Sequence, residues 1–111
     1  MQLKSAMNGT TLVIRVAESR IDATGAIQFK ERMRDLLQAS SQRVILDLSE
    51  VCFLDSSGLG AVVAVMKLLA PDRRLELAGL TATVDKVFRL TRMDSVFTIH
   101  QALEEGLRNV G

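Results

Sequence analysis

The stretch Val44–Leu69, VILDLSEVCFLDSSGLGAVVAVMKLL, joins two hydrophobic patterns across one short polar turn. Residues 44–48 form an apolar run interrupted only by Asp47, which is typical of a strand covered on both faces. After the turn DSSG, a longer apolar run rich in alanine and valine predicts a helix that extends to about Ala70. A covered strand followed by a helix is the repeating unit of an α/β protein, so this stretch decides the fold class.

The rest of the chain repeats the alternation. Residues 2–16 predict a β-hairpin whose turn is Asn8-Gly9, and a helix is predicted from about Thr24 to Ala39. Further strands are predicted in RLELAGL and SVFTIH, with a helix capped by Thr81 between them and a last helix in QALEEGLRNV. The order ββαβαβαβα predicts one α/β domain over residues 1–111, a mixed sheet with an N-terminal hairpin and about four helices.

Composition restricts the classes of function. The formal net charge of the 111 residues is +1, and there is no Trp or Tyr, which argues against a nucleic-acid partner. The longest apolar run, Leu59–Met66, is far shorter than the ~20 residues that span a bilayer, and the first residues do not resemble a signal peptide. With a single cysteine, Cys52, no internal disulfide can form. We therefore expect a cytoplasmic protein without membrane insertion.

The turn Asp55-Ser56-Ser57 has two interpretations. Asp and Ser side chains accept hydrogen bonds from the free N–H groups of a first helical turn, so these residues are candidates for a helix cap. One cap is enough for one helix, however, and three polar residues followed by Gly58 and Gly60 exceed that need. Ligands and partners usually meet such sheets at the carboxyl ends of the strands. We therefore also predict a functional site at this turn.

Several chemistries fit that site poorly. A phosphate-binding loop needs a lysine at a spacing that DSSGLGA lacks, and a metal site needs a cluster of ligands that the sequence does not show. A serine hydrolase needs a base, but His100, the only histidine, is predicted to lie at the surface end of the last strand. A phospho-acceptor serine remains. The amino end of a helix tolerates the two negative charges of a phosphate, which would repel a partner shaped for a neutral hydroxyl.

The following helix has a predicted inner and outer side. The inner side, directed toward the sheet, consists of Leu59, Val62, Val63, Met66 and Leu69. The outer side consists of Gly60, Ala61, Ala64, Lys67 and Leu68. Its small apolar side chains suit close contact with a partner, although alanine is also simply a good helix former. We interpret Cys52 as a small core residue. Asp47, inside an apolar strand, could hold the loop by hydrogen bonds, but the sequence does not identify its partner.

The segment VILDLSEVCFLDSSGLGAVVAVMKLL resembles the STAS domains, in particular the bacterial anti-sigma factor antagonists. The resemblance extends over nearly the whole chain and includes the hairpin, the dipeptide Ile21-Asp22 and the segment LELAGLTATVDKVFRLTRMDSVF. It implies a regulatory protein without enzymatic activity and without a cofactor. The implied partners are an anti-sigma factor that is also a serine kinase, and a serine phosphatase.

The resemblance also implies roles for individual residues. Ser57, the second serine of the signature, would be the phospho-acceptor, with Asp55 and Ser56 beside it in the contact surface and Asp22 close by. Only the unphosphorylated form would bind the anti-sigma factor and thereby release the sigma factor. The predicted contact surface consists of Asp22, Asp55, Ser56, Ser57, Gly58, Gly60, Ala61, Ala64 and Lys67.

Two positions depart from the family pattern. Arg20 stands where these proteins commonly have an acidic residue, which implies a partner that is not interchangeable with others. Arg92-Met93 replaces the Gly-Leu that often ends the third helix, which implies the loss of a left-handed cap residue. An alternative output is the regulation of another partner, such as a lipid-transport ATPase or a stress-signalling scaffold.

Overall fold

The computed structural model describes residues 1–108, which form seven strands and four α-helices. The strands are β1 (Leu3–Asn8), β2 (Thr11–Val16), β3 (Arg20–Ile21), β4 (Arg43–Asp47), β5 (Phe53–Leu54), β6 (Arg74–Ala78) and β7 (Thr98–His100). The helices are α1 (Ala23–Leu36), α2 (Ser56–Leu69), α3 (Ala82–Leu90) and α4 (Leu103–Arg108), and a short 3₁₀ helix covers Met93–Ser95. The predicted continuation of the last helix beyond Arg108 lies outside the described residues.

Five strands form one mixed sheet in the order β1-β2-β4-β6-β7, in which only β1 is antiparallel to its neighbour. The connections β2 to β4, β4 to β6 and β6 to β7 all step across the sheet in one direction. Right-handed crossovers therefore place α1, α2 and α3 on the same face. The other face is packed by α4, which contacts β4 and β7. The predicted mixed α/β architecture is confirmed.

The main core lies between the sheet and α1–α3. Alternate residues of β4 point to opposite faces, so Val44 and Leu46 join this core while Ile45 packs beneath Gly106 of α4. Phe29 and Phe88, both fully buried, fill the space from the helix side. The carboxyl ends of the parallel strands and the amino ends of α1–α3 consequently share one end of the molecule.

The hairpin turn lies one residue later than predicted. Asn8 pairs with Thr11, so the two-residue loop is Gly9-Thr10 instead of Asn8-Gly9. Only the first loop residue has a positive φ, 62° at Gly9, which is the pattern of a type II′ turn. This turn type calls for glycine at the first loop position, so Asn8 can belong to the strand and not to the loop.

A second, two-stranded sheet was not predicted from the sequence. Strands β3 and β5 pair in parallel, with Arg20 opposite Phe53 and Ile21 opposite Leu54. The chain is further fixed by a 2.7 Å hydrogen bond from the backbone N–H of Cys52 to the carbonyl oxygen of Ser19. Each strand leads directly to a helix, so this ribbon positions the beginnings of α1 and α2.

Three further predictions differ from the structure. Cys52 is exposed instead of lying in the core, and His100 is 5% exposed instead of lying at the surface. Helix α1 ends at Leu36, before the predicted end at Ala39. Among residues 1–108, no helix has the length and apolar character needed to cross a membrane.

Candidate functional site

Two aspartates begin the two helices that follow the β3–β5 ribbon. Asp22 Oδ1 accepts a 3.0 Å hydrogen bond from the N–H of Gly25, and Asp55 Oδ1 accepts a 2.9 Å bond from the N–H of Gly58. These are N-caps of α1 and α2. Because the preceding residues, Ile21 and Leu54, are directly paired, the two capped helix ends lie side by side. The structure thus brings Asp22 and Asp55 together, as predicted.

Gly58 lets α2 approach the backbone of β3. A Cβ atom at this position would lie 2.5 Å from the carbonyl oxygen of Ile21, closer than nonbonded atoms can come. Gly58 is therefore buried, and the prediction that it lies in a contact surface is wrong. Its role is to bring the amino end of α2 close to that of α1.

Ser56 and Ser57 occupy the first turn of α2, and both are exposed. The Asp55 carboxylate caps this helix, so Ser56 and Ser57 are not needed for capping α2. The backbone N–H groups of a first helical turn lack partners within the helix, and the helix dipole places partial positive charge there. Ser57 therefore presents a hydroxyl to solvent in an environment that favours added negative charge.

The outer face of α2 continues from Ser57 along the helix. Gly60, Ala64 and Lys67 are exposed and follow one another at helical spacing, as predicted. Ala61, in contrast, is 2% exposed, so its predicted place on the outer face is wrong. The reason is that α2 packs against α1 as well as the sheet, so more than one side of the helix is covered, and Ala61 belongs to the buried core.

The electrostatics of the site involve a cation at position 20. Arg20 Nε lies 3.4 Å from Asp22 Oδ2. The hydrogen bond from the Gly25 N–H, assisted by this guanidinium, lowers the pKa of Asp22 below its ordinary value and keeps the carboxylate charged. The guanidinium also lies 4.8 Å from the centre of the exposed Phe53 ring. The sequence indicated Arg20 only as a family departure and gave no sign of Phe53.

The loop that leads from β4 to the site is held from two directions. Asp47 Oδ1 accepts a 2.9 Å hydrogen bond from the N–H of Ser49, and Arg15 Nε lies 3.4 Å from Asp47 Oδ2. Thr81, the N-cap of α3, donates its hydroxyl to the carbonyl oxygen of Val51 at 2.7 Å. The structure thus supplies the partners of Asp47 that the sequence left open, the N–H of Ser49 and the guanidinium of Arg15.

His100 belongs to a different part of the molecule. Its Nε2 lies 2.7 Å from Glu76 Oε1, and its ring packs against Gly106 of α4. This is the sheet face opposite α2, so the structure does not bring His100 to Ser57. Within residues 1–108, no group of three His, Cys, Asp or Glu side chains is arranged to hold a metal ion.

Comparison with known proteins shows what this arrangement is similar to. The family model of the STAS domain matches residues 3–106. An anti-sigma-B factor antagonist of Staphylococcus aureus is 22% identical over 76% of this chain and 79% of its own length. The fold is shared with an anti-sigma factor antagonist from Mycobacterium paratuberculosis, with a TM-score of 0.88 and 22% identity over 98% of this chain and 92% of the other.

A third similar protein is the Bacillus cell fate determinant SpoIIAA, an anti-sigma factor antagonist. Its unphosphorylated form has a TM-score of 0.75 at 25% identity and covers 99% of both chains. Its phosphorylated form has a TM-score of 0.71 at the same identity and covers 99% of this chain and 100% of the other. Because the family model spans nearly the whole sequence, the chain belongs to the STAS-domain family, and relatives similar to it are anti-sigma factor antagonists.

Proposed function

We propose that this chain is an anti-sigma factor antagonist whose binding is switched by phosphorylation of Ser57. In the unphosphorylated state it binds an anti-sigma factor that is also a serine kinase, and this binding releases the sigma factor. A serine phosphatase reverses the modification, and all of these partners are expected in the cytoplasm. The observation that carries the proposal is that Ser57 is exposed at the amino end of α2 while Asp55 supplies the cap.

The local structure supports a switch that acts without unfolding the domain. A phosphate on Ser57 would add about −1.5 to −2 charges next to the free N–H groups of the first helical turn. Those groups and the helix dipole stabilise negative charge, so the helix would tolerate the modification. The nearby carboxylates of Asp22 and Asp55 would make the modified surface strongly acidic. A partner that fits the neutral hydroxyl would then lose several kcal/mol of binding free energy.

The proposed contact surface keeps those predicted residues that are exposed or half-buried. It consists of Asp22, Asp55, Ser56, Ser57, Gly60, Ala64 and Lys67. Small residues at 60 and 64 allow a partner backbone to approach the helix closely. A relative that has been solved in both phosphorylated and unphosphorylated forms supports a modification in this family, and the carry-over to Ser57 rests on the DSSGLG signature.

The first prediction concerns the effect of charge at position 57. Incubation with an anti-sigma factor kinase of the host and ATP should add one phosphate, mapped to Ser57 by mass spectrometry. Ser57→Asp should weaken binding of the same kinase at least tenfold in calorimetry, because it places a fixed charge in the contact. Its melting temperature should stay close to that of the unmodified chain.

The neighbouring serine provides the matched control. Ser56→Ala should still accept one phosphate, whereas Ser57→Ala should accept none and should still bind. Phosphate found on Ser56 would contradict the assignment. A large fall in the melting temperature of Ser57→Asp would contradict a switch that leaves the fold intact, and unchanged affinity of that variant would exclude the switch.

A further inference from the structure

Phe53 differs from the other phenylalanines of the chain in its exposure. It is 42% exposed, while Phe29, Phe88 and Phe97 are between 0% and 5% exposed. Its neighbour Leu54 is buried, because successive residues of a strand point to opposite faces. The ring is therefore held outward by a paired strand, immediately before the cap residue Asp55. Removing so large an apolar surface from water would favour contact with another molecule.

Arg20 is the cross-strand partner of Phe53 and shares its outward orientation. Its guanidinium lies 4.8 Å from the ring centre and 3.4 Å from the Asp22 carboxylate, yet 61% of its side chain stays exposed. The stacking restricts the orientation of the guanidinium, while the exposed part keeps N–H groups available to a further acceptor. Arginine and aromatic side chains in rigid positions are frequent binding hot spots.

We infer that Arg20 and Phe53 form a second contact element, which selects the partner that Ser57 regulates. This inference rests on the proposed function, because its occupant is the same anti-sigma factor kinase. The element is continuous with the proposed contact surface, since β3 and β5 carry both Arg20-Phe53 and the aspartates that follow them. It lies on the β3–β5 ribbon, outside the outer face of α2.

The arrangement of charges specifies the chemistry of the partner. The partner needs an apolar recess that receives Phe53 and a carboxylate at the edge of that recess that pairs with Arg20. Asp22 and Asp55 lie on the helix side of the ribbon, so the partner needs basic groups beside the recess to pair with them. A partner built for an acidic residue at position 20 would instead place a basic group opposite Arg20, and this pairing of like charges would reject it.

The test measures binding of a host anti-sigma factor kinase that binds the unmodified chain, whatever its response to Ser57→Asp, by calorimetry at fixed salt. Phe53→Ala should lower affinity at least tenfold and Arg20→Ala about fivefold, while Arg20→Glu should lower it further than Arg20→Ala. Arg20→Lys should give intermediate affinity, because lysine keeps the charge and loses the planar stacking group. Melting temperatures should remain close to that of the unmodified chain, since both side chains are exposed.

Two matched controls lie at the other end of the molecule. Leu90→Ala removes an apolar side chain that is 75% exposed at the end of α3, and Arg34→Ala removes an exposed cation in the last turn of α1. Each should change affinity less than twofold. Equal losses in the control variants and in Phe53→Ala would overturn the inference, because the effect would then not belong to this element.

The same variants separate the inference from the proposed function. If Ser57→Asp weakens binding while Phe53→Ala and Arg20→Glu do not, the switch stands and the second contact element is refuted. If Phe53→Ala and Arg20→Glu weaken binding while Ser57→Asp does not, the element stands and the switch is refuted. Arg20→Ala could lower affinity in the unmodified chain and have no effect in the Asp22→Ala background. That result would also contradict a direct contact, because Arg20 would then act only by orienting Asp22.

Discussion

Gly58 and Gly60 lie close together in α2 and have opposite surroundings. A Cβ atom on Gly58 would come within 2.5 Å of the Ile21 carbonyl oxygen, whereas a Cβ atom on Gly60 would meet nothing within 4 Å. Two glycines that look alike in the motif DSSGLG therefore have different physical roles. The first is required by close packing, and the second leaves an open surface on the outer face of the helix.

These surroundings predict opposite effects of alanine on stability. Gly58→Ala should lower the free energy of unfolding by about 2 kcal/mol or more, because backbone atoms of β3 would have to move. Gly60→Ala should raise it by up to about 1 kcal/mol, since alanine favours the helix and finds free space. Urea unfolding of the two variants checks both values. A stable Gly58→Ala protein would contradict the contact between α2 and β3.

The site residues were predictable to the extent that local chemistry decides them. Asp55 and Thr81 precede apolar helical runs, and both prove to be N-caps. Cys52 was misplaced and Phe53 was not recognised, because their exposure depends on the pairing of β5 with β3, in which Phe53 lies opposite Arg20, far earlier in the chain. Ala61 was misplaced because α2 is apolar on several sides, so the sequence periodicity does not define which side faces α1.

At the scale of elements, the end of α3 shows how the family departure at Arg92 is accommodated. The helix ends at Leu90, and Arg92 adopts the left-handed conformation with φ of 61°. The left-handed conformation, whose loss the sequence departure implied, is therefore kept, with arginine in place of glycine. A non-glycine residue held in this region is destabilised by roughly 1 kcal/mol or more.

Replacing Arg92 with glycine should therefore stabilise the domain. Arg92→Gly removes the strain of the side chain, while the greater freedom of glycine in the unfolded chain offsets part of the gain. We expect a rise of up to about 1 kcal/mol in the free energy of unfolding, measured by urea denaturation. Arg92→Ala, which keeps a Cβ atom, should show no such rise. Equal stability of both variants would indicate that the backbone at position 92 is unstrained.

The two shortest strands could not be predicted from the sequence pattern. Strands β3 and β5 have two residues each, too few for an alternating pattern to be visible in the sequence. Their pairing is imposed by the surrounding contacts, including the bond from Cys52 to Ser19 and the burial of Ile21 and Leu54. Long elements such as β4 and α2 were predictable because their burial patterns extend over several residues.

Across the whole molecule, a buried charge network joins three strands and the last helix. Glu76, 3% exposed, accepts hydrogen bonds from Arg43 Nε and Nη2 at 2.7 and 2.6 Å and lies 2.7 Å from His100 Nε2. Arg43 Nη2 also donates to the carbonyl oxygen of Gly106 at 2.9 Å. The network was not predicted, because Arg43, Glu76 and His100 lie on three different strands and only the pairing of those strands in the sheet brings them together.

This network predicts a specific dependence of stability on pH. The hydrogen bonds from Arg43, chiefly, lower the pKa of Glu76 from 4.5 to about 2. Because the folded pKa lies below the unfolded one, the stabilisation is complete above about pH 4.5 and is lost as pH falls toward 2. At 1.36 kcal/mol per pKa unit, the effect amounts to about 3 kcal/mol.

Glu76→Gln should remove this contribution. Its free energy of unfolding should be about 3 kcal/mol lower at pH 7, because Arg43 is left buried without its anion, and the difference should shrink toward pH 3. Urea denaturation at both pH values measures the effect, with Glu31→Gln on the exposed side of α1 as the control. A difference that stays constant between the two pH values would contradict the assigned cause.

The use of Asp55 as the cap, with Ser57 left free, has an evolutionary consequence. Under the proposed function, loss of the Ser57 hydroxyl by mutation would carry little penalty for folding, so a descendant protein could keep an intact domain and become a permanent binder. Regulation would then be inherited separately from architecture, and only selection on signalling would preserve it.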